Sequence, residues 1–117
     1  MIDDYRKLVV WQKAMDLVEE SYKITMLLPK DESFGLASQI RRAAVSIPSN
    51  IAEGQARHTK KEFLNFLSIA RGSKAELDTQ IQICIRLSYL TQTQAQGALA
   101  LCEEVGKMIF SIMHKLD

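Results

Sequence analysis

Apolar residues recur three and four positions apart through four successive stretches of this chain, and no stretch sustains the alternation of a strand. Such spacing puts the apolar side chains on one face of a helix, and that face must be buried against other helices. The first stretch runs from about Leu8 to Leu28, with Trp11, Met15, Val18 and Tyr22 four, three and four apart. Pro29 and the polar run after it close that helix. The second begins near Ser33 and carries a seam of Ala37, Ile40, Ala44, Ile47 and Ile51. Thr59, with Glu62 three residues on, forms a capping box that starts the third helix. Its apolar side is Phe63, Phe66, Ala70, Ser73, Leu77, Ile81 and Cys84. Thr91 or Thr93 caps the fourth, which shows Leu99, Cys102, Gly106, Ile109, Met113 and Leu116. Helices of roughly 20 to 30 residues, each ~30 to 45 Å long, joined by short connections, imply an all-α, up-and-down antiparallel four-helix bundle. No internal repeat or linker divides the chain, so residues 1–117 form one domain, with only the first half-dozen residues free to move.

Several functional classes are excluded. The chain is 47 % hydrophobic and 25 % charged, the composition of a globular domain rather than a disordered one. No apolar run approaches the roughly 20 residues of a membrane span, and the N-terminus lacks the basic-then-apolar order of a signal peptide. A cytoplasmic protein without a membrane partner is expected. Cys84 and Cys102 fall in apolar helical patterns and read as buried reduced thiols. No Glu has a His three residues on, so the di-iron arrangement of helical bundles is absent. His58 falls in a polar turn and His114 in the last helical turn, where each reads as a solvated or capping side chain. With no glycine-rich phosphate loop, nucleophile elbow or HExxH, the sequence offers no catalytic residue, metal site or cofactor, and the expectation is a protein that is not an enzyme.

The second helix contains Pro48, which has no backbone N–H and costs roughly 3 kcal/mol in a helix interior. It is expected to kink the helix and to free the carbonyl of Ala44, which Asn50, a serine hydroxyl or water then satisfies. Opposite the seam lie Arg42, Ser46, Ser49 and Glu53, with Ser38, Val45 and Ala52 on or beside them. Small residues where long charged ones belong imply a helix packed on both sides. Arg42 and Glu53, about 16 Å apart along the axis, cannot pair within the helix, so burial demands partners from another helix or subunit. Arg42, Ser46, Pro48, Asn50, Glu53 and Gly54 are accordingly expected to serve structure and assembly.

Net charge is only +1, but it is unevenly spread. Between Ala37 and Lys74 lie seven basic residues, Arg41, Arg42, Arg57, Lys60, Lys61, Arg71 and Lys74, against Glu53 and Glu62, which leaves the rest of the chain negative.

The elements "QIRRAAVSIPSNIAEGQAR" and "EFLNFLSIARGSKAELDTQIQI", together with "LVVWQKAMDLVEESYKI" and "LSYL", resemble the bacterial 23S rRNA intervening sequence proteins, also called S23 ribosomal proteins. Lys74 departs from the family, where a hydrophobic residue is commoner after the Arg-Gly-Ser element. The resemblance implies a four-helix bundle that assembles into a ring, commonly a homopentamer. It also implies kinship with the accessory variability protein of diversity-generating retroelements, which works with a reverse transcriptase and RNA. It carries over no catalytic residue.

Two functional readings follow. In the first, Arg41, Arg57, Lys60, Lys61, Arg71 and Lys74 form a basic surface that a homo-oligomer repeats, binding the backbone of RNA or DNA without base readout. In the second, the acidic remainder of one subunit pairs with the basic middle of another, and the oligomer is a scaffold for a protein partner. Arg71 and Lys74 separate the two. Exposure favours nucleic acid, whereas pairing with Glu103 or Glu104 favours the scaffold.

Overall fold

The computed structural model describes residues 4–116 and contains four α-helices. They are α1 (Val9–Thr25), α2 (Leu36–Ala56), α3 (Lys60–Arg86) and α4 (Gln92–Leu116). Each packs against its neighbour in sequence, and α1 closes against α4, so the helices form a square with no diagonal contact among the described residues. The long axis measures 44 Å against 23 and 20 Å across, consistent with α3 lying along it.

Local chemistry fixes the helix ends. The Thr59 hydroxyl accepts the Glu62 amide at 3.1 Å and starts α3, as its capping box implies. At α4 the choice falls on Thr91, which accepts the Gln94 amide at 3.1 Å while its own amide donates to Gln94 Oε1 at 2.9 Å. The α3 C-terminus closes in a Schellman motif. Ser88, at φ 62°, lets the Tyr89 amide reach the Cys84 carbonyl and its own amide reach that of Ile85. Asp4 caps a 3-10 turn at Tyr5–Lys7, and Tyr5 sits edge-on to Trp11 at 5.5 Å. Of the N-terminal residues expected to be free, residues 4–6 are thus held, and the first three lie outside the described residues.

The core is one cluster running through all four helices, with Leu17, Ile40, Ile47, Ile51, Leu67, Leu77, Ile81, Val105 and Ile109 fully buried. The whole expected seam of α2 is inside. In α1 the buried stripe is shifted by one residue from the expected one. Val10, Ala14, Leu17, Ser21 and Ile24 face inward, whereas Trp11 and Val18 sit at the edge and Met15 and Tyr22 are exposed. Small Ala14 and Ser21 let the neighbouring helices approach, and the larger residues wrap the rim.

The α2–α3 pair is the most closely packed of the four, and glycine makes this possible. A Cβ on Gly54 would lie 2.7 Å from Phe66 Cβ and 3.0 Å from Phe63 Cδ1. Further along the same interface, Ser46 Oγ and Ser73 Oγ share a hydrogen bond of 2.8 Å. Asn50 Nδ2 donates to the Ser46 carbonyl at 2.8 Å and to its hydroxyl at 2.9 Å. Asn50 therefore serves Ser46, one turn below it, and not the Ala44 carbonyl that Pro48 leaves without its usual amide. Helical backbone runs through the buried Pro48 without a break.

Candidate nucleic-acid interface

Antiparallel packing gathers residues that are far apart in sequence. One half of the bundle holds the starts of α1 and α3 and the ends of α2 and α4. In that half lie Arg6, Lys7, Lys13, Arg57, Lys60, Lys61, Arg71, Lys107 and Lys115, with Asp4, Asp16, Glu53 and Glu62 to offset them. In the other half the carboxylates Glu19, Glu20, Asp31, Glu32, Glu76 and Asp78 balance the cations Lys23, Lys30, Arg41, Arg42, Lys74 and Arg86, and Glu103 and Glu104 stand at the boundary, paired with Lys107 and Lys13. Among the described residues the excess of cations therefore lies in the half where α1 and α3 begin. The sequence places the basic excess in the middle of the chain; the fold moves it to one end of the bundle and adds residues from both terminal helices.

The expected basic residues divide into engaged and open groups. Arg41 turns toward α1, donating from Nε to Thr25 Oγ1 at 2.9 Å, with its guanidinium 4.6 Å from the centre of the Tyr22 ring. Arg57 donates to Glu53 Oε2 at 2.9 Å, lies 3.7 Å from Glu62 Oε2 and covers the Phe66 ring at 5.0 Å. Both arginines lock helices together. Lys60 and Lys61 are exposed, and among the described residues no carboxylate pairs with them. They occupy the first turn of α3, where a positive charge opposes the helix dipole by about 0.3–1 kcal/mol, so their placement does not serve helix stability.

Arg71 and Lys74 line a groove of about 500 Å³ between α3 and α4, with Asp78, Gln82, Leu99, Glu103, Gly106, Lys107 and Phe110. Arg71 is exposed beside the Phe110 ring, 5.8 Å from its centre. Lys74 is half-buried, its stem above Gly106. Neither pairs with Glu103 or Glu104, which instead bond Lys107 at 3.2 Å and Lys13 at 3.5 Å. A hydrophobic residue in place of Lys74 fits this setting, because the lysine uses mainly its methylene stem against the glycine.

Of the residues expected to serve structure, Ser46, Pro48, Asn50 and Gly54 lie at or beside the α2–α3 contact. Arg42 is exposed, and Glu53 is exposed and pairs with Arg57. Within one chain, the second face of α2 is covered on its Ser46 side by α3 and remains open at Arg42, Val45 and Ser49.

Burial pushes the Cys84 thiol up and the Cys102 thiol up to about 12, so neither is poised as a nucleophile. No group of His, Cys, Asp and Glu among the described residues is arranged to hold a metal ion. No described helix is long and apolar enough to cross a membrane.

No curated protein matches this chain. A crystal structure of a protein of unknown function from the S23 ribosomal protein family of Bacteroides thetaiotaomicron superposes with a TM-score of 0.83 at 26 % identity, covering 90 % of this chain and 98 % of that one. The sequence model of the 23S rRNA-intervening sequence proteins matches residues 6–111. That span takes in α1, α2, α3 and most of α4, and the chain belongs to the 23S rRNA-intervening sequence protein family.

Proposed function

We propose that this protein is a non-enzymatic, self-associating cytoplasmic protein that binds the phosphate backbone of RNA or DNA through the basic half of its bundle. The observation that carries the reading is the exposed pair Lys60 and Lys61 in the first turn of α3, which with the exposed Arg71 has no carboxylate partner among the described residues. Such a group of cations raises the local concentration of a polyanion and steers it. One subunit offers few phosphate contacts. Several subunits holding their basic ends on one side multiply them, so affinity falls steeply with salt. Exposed aromatic rings that would stack on bases are scarce at that end, which favours sequence-tolerant contact with the backbone.

The test is fluorescence anisotropy with a structured RNA and a duplex DNA over a salt series. Wild-type protein is expected to bind both, and Lys60→Glu with Lys61→Glu to weaken binding at least tenfold and flatten the log–log salt slope by about two. Arg86→Glu, at the opposite end, is expected to change neither. No binding at low salt, or equal losses for both sets of variants, overturns the reading. The scaffold for a protein partner then becomes the better account.

A further inference from the structure

The α3–α4 groove sets a flat aromatic surface beside two cations that have no carboxylate partner. Phe110 is 55 % exposed, and its ring lies nearly parallel to that of His114, one turn on, with 5.8 Å between centres and 11° between planes. The Arg71 guanidinium, a third planar group, stands 5.8 Å from the centre of the Phe110 ring. Lys74 follows one turn along α3 and lines the same groove. A Cβ on Gly106 would stand 2.6 Å from Lys74 Cε and 3.1 Å from its Nζ, so the glycine is what lets the lysine lie across the groove. Among the described residues no carboxylate pairs with Arg71 or Lys74. The groove's own carboxylates, Asp78 and Glu103, lie beyond Lys74 as seen from Phe110, and Glu103 is taken by Lys107.

We propose that this groove takes one unpaired nucleotide of a single strand, its base stacked on the Phe110 ring and its phosphate held by Arg71 and Lys74. Every base has a π face, so an exposed ring accepts it without reading the sequence. Arg71 offers a planar fork that meets a phosphate at two points, and Lys74 adds a point charge. The groove volume of about 500 Å³ falls within the range of about 300–1,000 Å³ that small-molecule sites span. Asp78 repels phosphate and so confines it to the Arg71 end. A base inside a duplex has both faces covered by its neighbours and cannot reach Phe110, so the contact belongs to unpaired strands. This rests on the reading of the chain as a binder of the nucleic-acid backbone, and it adds to that reading a place for a base.

Fluorescence anisotropy on the full chain tests it with a short thymidine strand, the same strand made wholly abasic, a uridine strand and a duplex DNA. Phe110 is exposed, so Phe110→Ala should fold, and an unchanged circular dichroism melting curve verifies this. Phe110→Ala is expected to weaken binding of the thymidine strand about 5- to 150-fold, the worth of one stacked base. The salt slope should not move, because no charge is lost. The abasic strand and the duplex should bind this variant as they bind wild type, and Phe110→Trp should keep the thymidine affinity. A like loss on the uridine strand extends the site to RNA, and a loss confined to one strand names the source. Thymidine binding unmoved by Phe110→Ala overturns the proposal. So does an equal loss on the abasic strand, which would give the ring a part in shaping the protein and none in holding a base. If either result comes with binding still weakened by Lys60→Glu with Lys61→Glu, the backbone reading stands without the groove. A protein that binds neither strand nor duplex removes both.

Discussion

Gly54→Ala and Gly72→Ala make the same chemical change in two helices and should move stability in opposite directions. Both glycines lie inside helices, where alanine is favoured by about 0.8–1 kcal/mol. At Gly72 a new Cβ meets nothing within 4 Å, so that gain is realised in full. At Gly54 the Cβ would stand 2.7 Å from Phe66 Cβ, an atom bonded to the α3 backbone that cannot swing aside. The helices must separate, and forcing a methyl into a packed contact costs about 1–3 kcal/mol. Net destabilisation at Gly54 is therefore zero to about 2 kcal/mol, and the difference between the two variants, in which propensity cancels, is about 1–3 kcal/mol. At roughly 4 °C per kcal/mol for a chain of this size, Gly72→Ala should melt about 3–4 °C above wild type and Gly54→Ala clearly below Gly72→Ala. Thermal and urea unfolding followed by circular dichroism, at one protein concentration so that assembly does not confound the comparison, measures both. A Gly54→Ala protein that melts with or above Gly72→Ala would refute the close approach of α2 and α3.

Two further changes probe other parts of the fold. Ser88 holds a left-handed conformation that costs an ordinary residue roughly 1–2 kcal/mol, so Ser88→Gly should stabilise by about 0.5–1 kcal/mol after the extra entropy of unfolded glycine, seen as a higher urea midpoint with an unchanged slope. The Cys102 thiol, held protonated to about pH 12 by burial, titrates near 8.5 once unfolded. Its contribution is complete below pH 8.5 and is lost as pH rises toward 12, at about 1.4 kcal/mol per pH unit. Cys102→Ala should flatten that alkaline loss, and native protein at pH 8 should resist alkylation at both cysteines while unfolded protein reacts at both.

Helix number, order and caps were legible because they depend on neighbours in sequence. The Thr59–Glu62 capping box and the α2 seam are three- and four-residue patterns, and both stand where periodicity puts them. The α1 stripe was misplaced by one residue because two stripes with equal spacing run side by side along that helix. Periodicity alone favours the bulkier set, while packing selects the one containing Ala14 and Ser21. Asn50 is one of three groups expected to satisfy the Ala44 carbonyl, but it takes that of Ser46, whose hydroxyl meets Ser73 of α3. The charge pattern was least legible. Arg41 and Arg42 are adjacent in sequence, yet Arg41 bonds α1 and Arg42 faces solvent. Lys115 joins Lys60 and Lys61 only because α4 returns to the end where α3 begins. Nor did any local pattern single out Phe34, which is exposed in the turn just before the start of α2.

The close approach at Gly54 also bears on how the bundle is divided. With no Cβ to hold them apart, α2 and α3 meet closely at that point, and the Ser46–Ser73 hydrogen bond fixes their register further along. The hairpin they form is thereby the spine of the molecule, and α1 and α4 are two leaves laid against it.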